Sequence, residues 1–138
     1  MSEANDPRSV IQRYTMAVLR KDWDTVGSLL SDDSVSHEPP SLPYGGEHRG
    51  RDAIVALCQT ITSLWGVGDI KGMPWMVVEG DEHSAKVVTG AHFGATAHAT
   101  GNEFEVRVAE LYTIVDGKIT EAVIHYWDTK TMCEALAG

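Results

Sequence analysis

Positive charge is scarce in this chain. Eleven Lys and Arg stand against 20 Asp and Glu, for a formal net charge of −9. Nucleic acid and anionic membranes both reward a basic surface, so neither is expected as a partner. Long apolar runs are missing too. None approaches the ~20 residues of a membrane span, and the polar, acidic opening MSEANDPRS lacks the apolar core of a signal peptide. Only two cysteines occur, Cys58 and Cys133, far apart in sequence. That points to reduced thiols and a cytoplasmic protein. No Gly-rich phosphate loop, Cys–His pair or serine elbow is present. His48, His83, His92, His98 and His125 lack metal-ligand spacing. His92 and His98 could meet in a hairpin, but no third ligand is indicated, so no metal site is expected.

What is present suits an ordinary folded soluble protein. Of 138 residues, 43% are hydrophobic and 22% charged, enough for one domain over 1–138 with a loose tail at 1–6. Pro7 suits a first helical turn, and Val10, Ile11, Tyr14, Ala17 and Val18 follow at helical spacing through about Arg20. Asp22 can cap a short second helix that buries Trp23, Val26, Leu29 and Leu30 and ends at Ser31-Asp32-Asp33. Val35 to Glu38 reads as a short extended piece halted by Pro39-Pro40. Residues 39–50 hold three prolines and three glycines and read as a loop, plausible as a rim over a site. A third helix starts near Arg51 with Ile54, Leu57, Cys58, Ile61, Leu64 and Trp65 inward, and Gly66 and Gly68 stop it. Strands are predicted at about 70–79, 84–93, 104–115 and 119–128, with 94–101 left as a loop or bulged edge. Helices followed by strands give an α+β fold, a curved antiparallel sheet wrapped around three helices.

The strongest local signal is Asp116-Gly117 between two alternating runs, which predicts a tight hairpin. In its first strand Phe104, Val106, Val108, Tyr112 and Ile114 share a face, and Glu110 lies among them. A carboxyl there must be paired, line a cavity or stay protonated, because burying an unpaired charge is costly. Its bland reading is an ion pair with a buried arginine or histidine. Tyr14 on the first helix and Glu38 at the strand end are the other candidates. The bland readings are a core tyrosine and a solvent-facing strand end. A phenol and two carboxyls around an apolar cavity form a workable acid–base set: one carboxylate takes a proton from carbon, and the other groups donate to the oxygen where charge develops. Alternation also groups Ala122, Ile124, Tyr126 and Asp128, so Asp128 is a fourth candidate, with a structural cap as its bland reading. Met73, Trp75, Val106, Val108 and Tyr126 are expected to line the apolar wall. Ala109 and Leu111 leave a modest apolar strip on the outer sheet face.

Three segments, VIQRYTMAVLRKDWDTVGSLLSDDSVSHEPPS, GEHRGRDAI and AELYTIVDGKITEAVIHYWDT, resemble the SnoaL-like and ketosteroid-isomerase-like proteins of the NTF2-like superfamily. The resemblance implies an NTF2-like (cystatin-like) cone with a deep apolar pocket, and a homodimer. It places Tyr14 at the oxyanion-binding tyrosine, Glu38 at the aspartate base and Glu110 at the protonated aspartate donor. Ketosteroid isomerase is itself a standard illustration of this pKa logic. Both carboxylates here are one methylene longer and the 39–50 loop is longer, which argues against a steroid substrate. A related epoxide hydrolase family has an aspartate in a similar Tyr-aromatic-Asp tail. Its Arg-x-Asp pair has no counterpart in KVVTGAHF, which argues against that activity. The expectation is a cofactor-independent isomerase or cyclase acting on a small apolar carbonyl compound, polyketide- or terpenoid-like. The alternative is a non-catalytic carrier of an apolar ligand. An elevated Glu110 pKa favours the first, and a Glu110 locked to an arginine favours the second.

Overall fold

The computed structural model describes residues 3–137. Met1 and Ser2 of the expected tail lie outside them, and Glu3–Asn5 forms a single 3-10 turn rather than a loose strand of chain. Helix α1 spans Pro7–Leu19, with Asp6 extended at its N-cap and Val10, Ile11 and Ala17 buried. Helix α2, Trp23–Ser28, starts at Asp22, whose carboxylate accepts from the Thr25 amide at 3.3 Å. It ends earlier than the apolar pattern predicts, because Leu30 opens a strand.

That strand, β1 (Leu30–Glu38), is longer than the predicted 35–38 piece. The polar run Ser31-Asp32-Asp33, expected to end α2 as a turn, is carried in extended backbone. The expected loop 39–50 also contains a strand, β2 (Gly46–Arg49), paired antiparallel with β1. Helix α3 runs Arg51–Leu64 and gives way directly to β3, Trp65–Ile70. The glycines read as a helix stop, Gly66 and Gly68, therefore lie within a strand. The single strand predicted at 70–79 is instead β3 and β4 (Trp75–Gly80), and both pair with β5 (Ser84–Ala97). Between them the Lys71 and Gly72 amides donate to the His92 carbonyl, so the break is a local bulge on one edge. Strand β5 also absorbs the first half of 94–101.

β6 (Glu103–Val115) and β7 (Lys118–Tyr126) form the hairpin the sequence predicts. Asp116 and Gly117 take φ of 48° and 78°, the paired left-handed turn that Asp-Gly tolerates. A fourth helix, α4 (Thr129–Ala137), follows and was not expected. The seven-stranded sheet has the order β2-β1-β7-β6-β5-β3, with β4 also on β5. Every pairing is antiparallel except β1 with β7, which is parallel.

Two buried clusters fill the inner face. One joins α1, α2 and α3 to β5–β7 through Ile11, Val26, Ile54, Val87, Tyr112 and Ile114. The other joins the 39–45 loop, the end of α3, β3 and α4 through Leu42, Tyr44, Leu57, Trp65, Phe104 and Met132. Val108 and Tyr126 pack against both clusters and belong fully to neither. The site lies at that seam.

Candidate functional site

Sheet register decides which side chains can meet. On β6, Val106 and Tyr112 are 1% and 4% exposed. Between them on the same face, Val108 and Glu110 keep accessible surface, as do Tyr14 and Tyr126 across from them. The inner face is therefore buried at both ends and keeps accessible surface between them, which marks the candidate hollow. Thr89 of β5 sits in register with Glu110, and Ile124 of β7 flanks it on the other side. Ser36 of β1 is in register with Ala122, which stands opposite Tyr112 on the inner face. Two residues further along β1, Glu38 therefore faces inward as well. His37 points the other way, with Nε2 3.2 Å from a Glu121 carboxylate oxygen.

Glu110 has no cation. Its two oxygens accept from the Tyr112 hydroxyl at 3.0 Å and from the Thr89 hydroxyl at 3.3 Å. The ion pair of the bland reading is absent among the described residues. Burial raises the Glu110 pKa, and the two hydroxyls pull against that rise. Glu38 is 7% exposed, and its Oε1 is fully enclosed without a hydrogen-bond partner. Burial first, and the charge of Glu110 second, push its pKa up to about 8. Nothing pulls it back.

These contacts set an order of ionisation. A carboxylate is favoured by hydrogen bonds donated to it, and a like charge nearby disfavours a second one. Glu110 has two donors, and its charge is what Glu38 responds to. Glu110 therefore ionises first, and Glu38 holds the proton at neutral pH. The resemblance implies the reverse resting state.

Tyr14 joins them from α1. Its ring meets the Tyr112 ring edge-on, with centroids 6.2 Å apart. Among the described residues the Cys58 thiol, at 3.5 Å, is the one hydrogen-bond partner of its hydroxyl. A thiol is a weak partner, so the phenol keeps a donor for a guest. Burial and the negative charges around it raise the Tyr14 pKa well above 10. The Cys58 thiol is pushed up to about 11, chiefly by burial, so it stays protonated and unreactive at neutral pH.

The structure thus brings Tyr14, Glu38 and Glu110 together with Val106, Val108 and Tyr126. It does not bring in the other expected residues. Asp128 is exposed and caps α4: the Thr131 amide donates to it at 3.0 Å and the Thr131 hydroxyl at 2.6 Å. Those bonds hold its carboxyl below the usual range. It therefore leaves the candidate catalytic set, for the capping reason that its bland reading gave. Trp75 and Met73, expected in the pocket wall, are 51% and 88% exposed. Trp75 is in register with Gly90 and Ala109 on the outer face, where its indole covers Gly90. With Met73, Arg107, His125 and Trp127 it lines a groove of about 410 Å³ that Val108 and Tyr126 also border.

Three residues of the seam carry functional potential that sequence reasoning passed over. Tyr112 was placed in the core, although its position two residues after Glu110 on one strand face signals contact. Thr89 has no sequence signal apart from register. Tyr44 lies in the Pro/Gly-rich loop, and only its size hints that this loop is anchored inward.

Comparison with known proteins agrees with this architecture. Residues 11–122 match the SnoaL-like domain family. Among solved structures, an NTF2-like protein from Burkholderia xenovorans superposes with a TM-score of 0.83 at 20% identity, covering 99% of this chain and 98% of that one. A ketosteroid isomerase-like protein from Erwinia carotovora atroseptica gives 0.71 at 15% identity, with 92% and 98% covered. A Xanthomonas campestris protein provisionally named a polyketide cyclase gives 0.69 at 19%, with 94% and 95% covered. No curated protein matches the chain. The helices, the bent sheet and the matched span together place this chain in the SnoaL-like domain family, with the NTF2-like fold.

Proposed function

We propose that the hollow is an active site for acid–base chemistry at a carbon next to a carbonyl, requiring no cofactor, with isomerisation or cyclisation of a small apolar carbonyl compound as its outcome. One observation carries this reading. Two carboxyls from separate strands face the inner side of the sheet with no cation among the described residues; burial raises both pKa values, Glu38's to about 8, and only Glu110 receives hydrogen bonds that oppose the rise. A carrier of apolar ligands has no use for that arrangement, and each acid costs it stability.

In the proposed cycle the Glu110 carboxylate, oriented by Tyr112 and Thr89, takes the proton from carbon. The Tyr14 phenol and the neutral Glu38 acid donate to the oxygen that gains charge. Glu110 then returns that proton at the far end of the enolate, or the enolate carbon attacks a second carbonyl within the guest and the alkoxide so formed takes the proton; either way Glu110 is again a carboxylate and Glu38 keeps its own proton. The roles of Glu38 and Glu110 are thus exchanged relative to those the resemblance implies, because the hydroxyl donors sit on Glu110. Solved structures of similar fold that carry a ketosteroid isomerase-like name and a provisional polyketide cyclase name are consistent with this class of reaction.

The test is proton exchange at carbon. 2-Tetralone in D2O serves as a one-oxygen probe, with deuterium uptake followed by NMR. The protein is expected to accelerate uptake over buffer, and Glu110→Gln to lose at least ~100-fold of that acceleration, the usual worth of a positioned base. A Glu110→Gln protein that exchanges as fast as the wild type overturns the reading.

A further inference from the structure

The seam holds a second phenol that this cycle does not use. Trp65 is 7% exposed, and its indole N–H donates to the Tyr44 oxygen at 3.3 Å. The Tyr44 hydroxyl donates in turn to the Tyr126 oxygen at 3.5 Å. An indole N–H can only donate. Tyr44 therefore accepts from Trp65 and, as the contact is oriented, donates its own proton to Tyr126, which leaves the Tyr126 proton for an onward partner. Among the described residues no acceptor meets that proton. Both contacts are long for hydrogen bonds, which leaves slack for tightening around a guest.

Tyr126 lies on the inner face beside Val108 and packs against both buried clusters. Its anchor, Tyr44, belongs to the cluster formed by the 39–45 loop and α4. Tyr14 packs against the opposite cluster, beside Tyr112 and Cys58. The two phenols thus enter the hollow from its two ends. Glu38 and Glu110 lie between them, and their charges bear on both.

We infer, building on the active-site reading above, that the hollow takes a neutral apolar guest with two oxygen functions, one bound by Tyr14 and the other by Tyr126. The substrate class is a carbonyl compound carrying a second carbonyl or a hydroxyl at its far end. Trp65 and Tyr44 are positioning residues: they touch no guest, and they keep Tyr126 a donor.

Calorimetric titration with 2-naphthol and 2,6-dihydroxynaphthalene tests this. The two differ by one distal oxygen. Wild-type protein is expected to bind the diol about tenfold more tightly, the worth of one well-formed hydrogen bond. Tyr126→Phe is expected to erase that advantage and to leave 2-naphthol affinity within about twofold. Tyr44→Phe, which frees Tyr126 to turn, is expected to reduce the advantage to about threefold at an unchanged melting temperature, a split that mere loss of packing does not produce. The inference is overturned if the diol binds wild-type protein no better than 2-naphthol, or if Tyr126→Phe keeps the advantage. The exchange of 2-tetralone depends on Glu110 and a single oxygen, so failure there and failure here are separate results.

Discussion

Replacing Glu38 by Gln makes the buried proton measurable as stability. The native carboxyl holds its proton up to about pH 8, whereas an unperturbed glutamate releases it near 4.5. Between those values the folded state binds more protons than the unfolded one, so wild-type stability falls as pH rises. At 1.36 kcal/mol per pH unit the full window is worth roughly 5 kcal/mol, complete above about pH 8. This is an upper figure, because water entering the hollow can reach the ionised form. Gln cannot ionise. Its amide brings a constant offset from an extra buried donor, and that offset has no pH dependence. The difference between variant and wild type should therefore move in favour of the variant by about 3–5 kcal/mol from pH 4.5 to 8.5. With a urea slope of about 2 kcal/mol/M, the relative midpoint shifts by about 1.5–2.5 M across the series. Titrating groups not coupled to Glu38 cancel in the subtraction. Urea midpoints for both proteins at half-unit pH steps are the assay. Two pH–stability curves that run parallel would refute the claim that Glu38 is a neutral buried acid.

Two further outcomes check the surroundings of the site. Asp128→Ala should lower the melting temperature through loss of the α4 cap while leaving 2-tetralone exchange at the wild-type rate; a drop in exchange would return Asp128 to the catalytic set. Gly80→Ala should cost about 2 kcal/mol or more in denaturant unfolding, since Gly80 has φ of +121° and an added Cβ would sit 2.3 Å from the Ser84 carbonyl oxygen; a neutral result would mean the β4–β5 turn relaxes freely.

What the sequence made legible was local. Asp116-Gly117 carries its own turn chemistry, and Glu110 stands out because one carboxyl interrupts five apolar residues of a single parity. Helix α3 is legible from its spacing. The missed elements owe their form to distant partners. Ser31-Asp32-Asp33 is polar enough to read as a turn, yet it is carried within β1 as an irregular stretch between Leu30, paired with Ile119, and Val35, paired with Glu121 some ninety residues on. Gly66 and Gly68 read as a stop, but the Gly68 backbone lies so close to the Gly94 carbonyl that a Cβ would sit 3.2 Å from it, a packing reason for glycine that no local pattern displays. Trp75 and Met73 went to the wrong wall because a Trp beside Met looks like pocket lining. The side Trp75 takes is set by its pairing with Gly90, where an added Cβ would strike the indole at 2.1 Å. The site was half legible for the same reason: parity gives Glu110 a face, but only register supplies Thr89, and only the fold brings Tyr44 inward.

The carboxyl pair also limits what can enter. With Glu110 ionised and Glu38 neutral, the hollow carries one negative charge and no cation. A guest bearing a carboxylate or phosphate would add a second charge of the same sign. At about 5 Å and an effective dielectric constant near 20, that repulsion is about 3 kcal/mol, or more than a hundredfold in affinity. A neutral guest meets no such barrier, and its oxygens find the Tyr14 phenol and the Glu38 acid still holding protons. Under the proposed function, the arrangement that makes the site costly to fold would also sort its substrates: an uncharged carbonyl compound would enter, its acid analogues would be turned away, and one base and one acid would stand ready on either side of the guest.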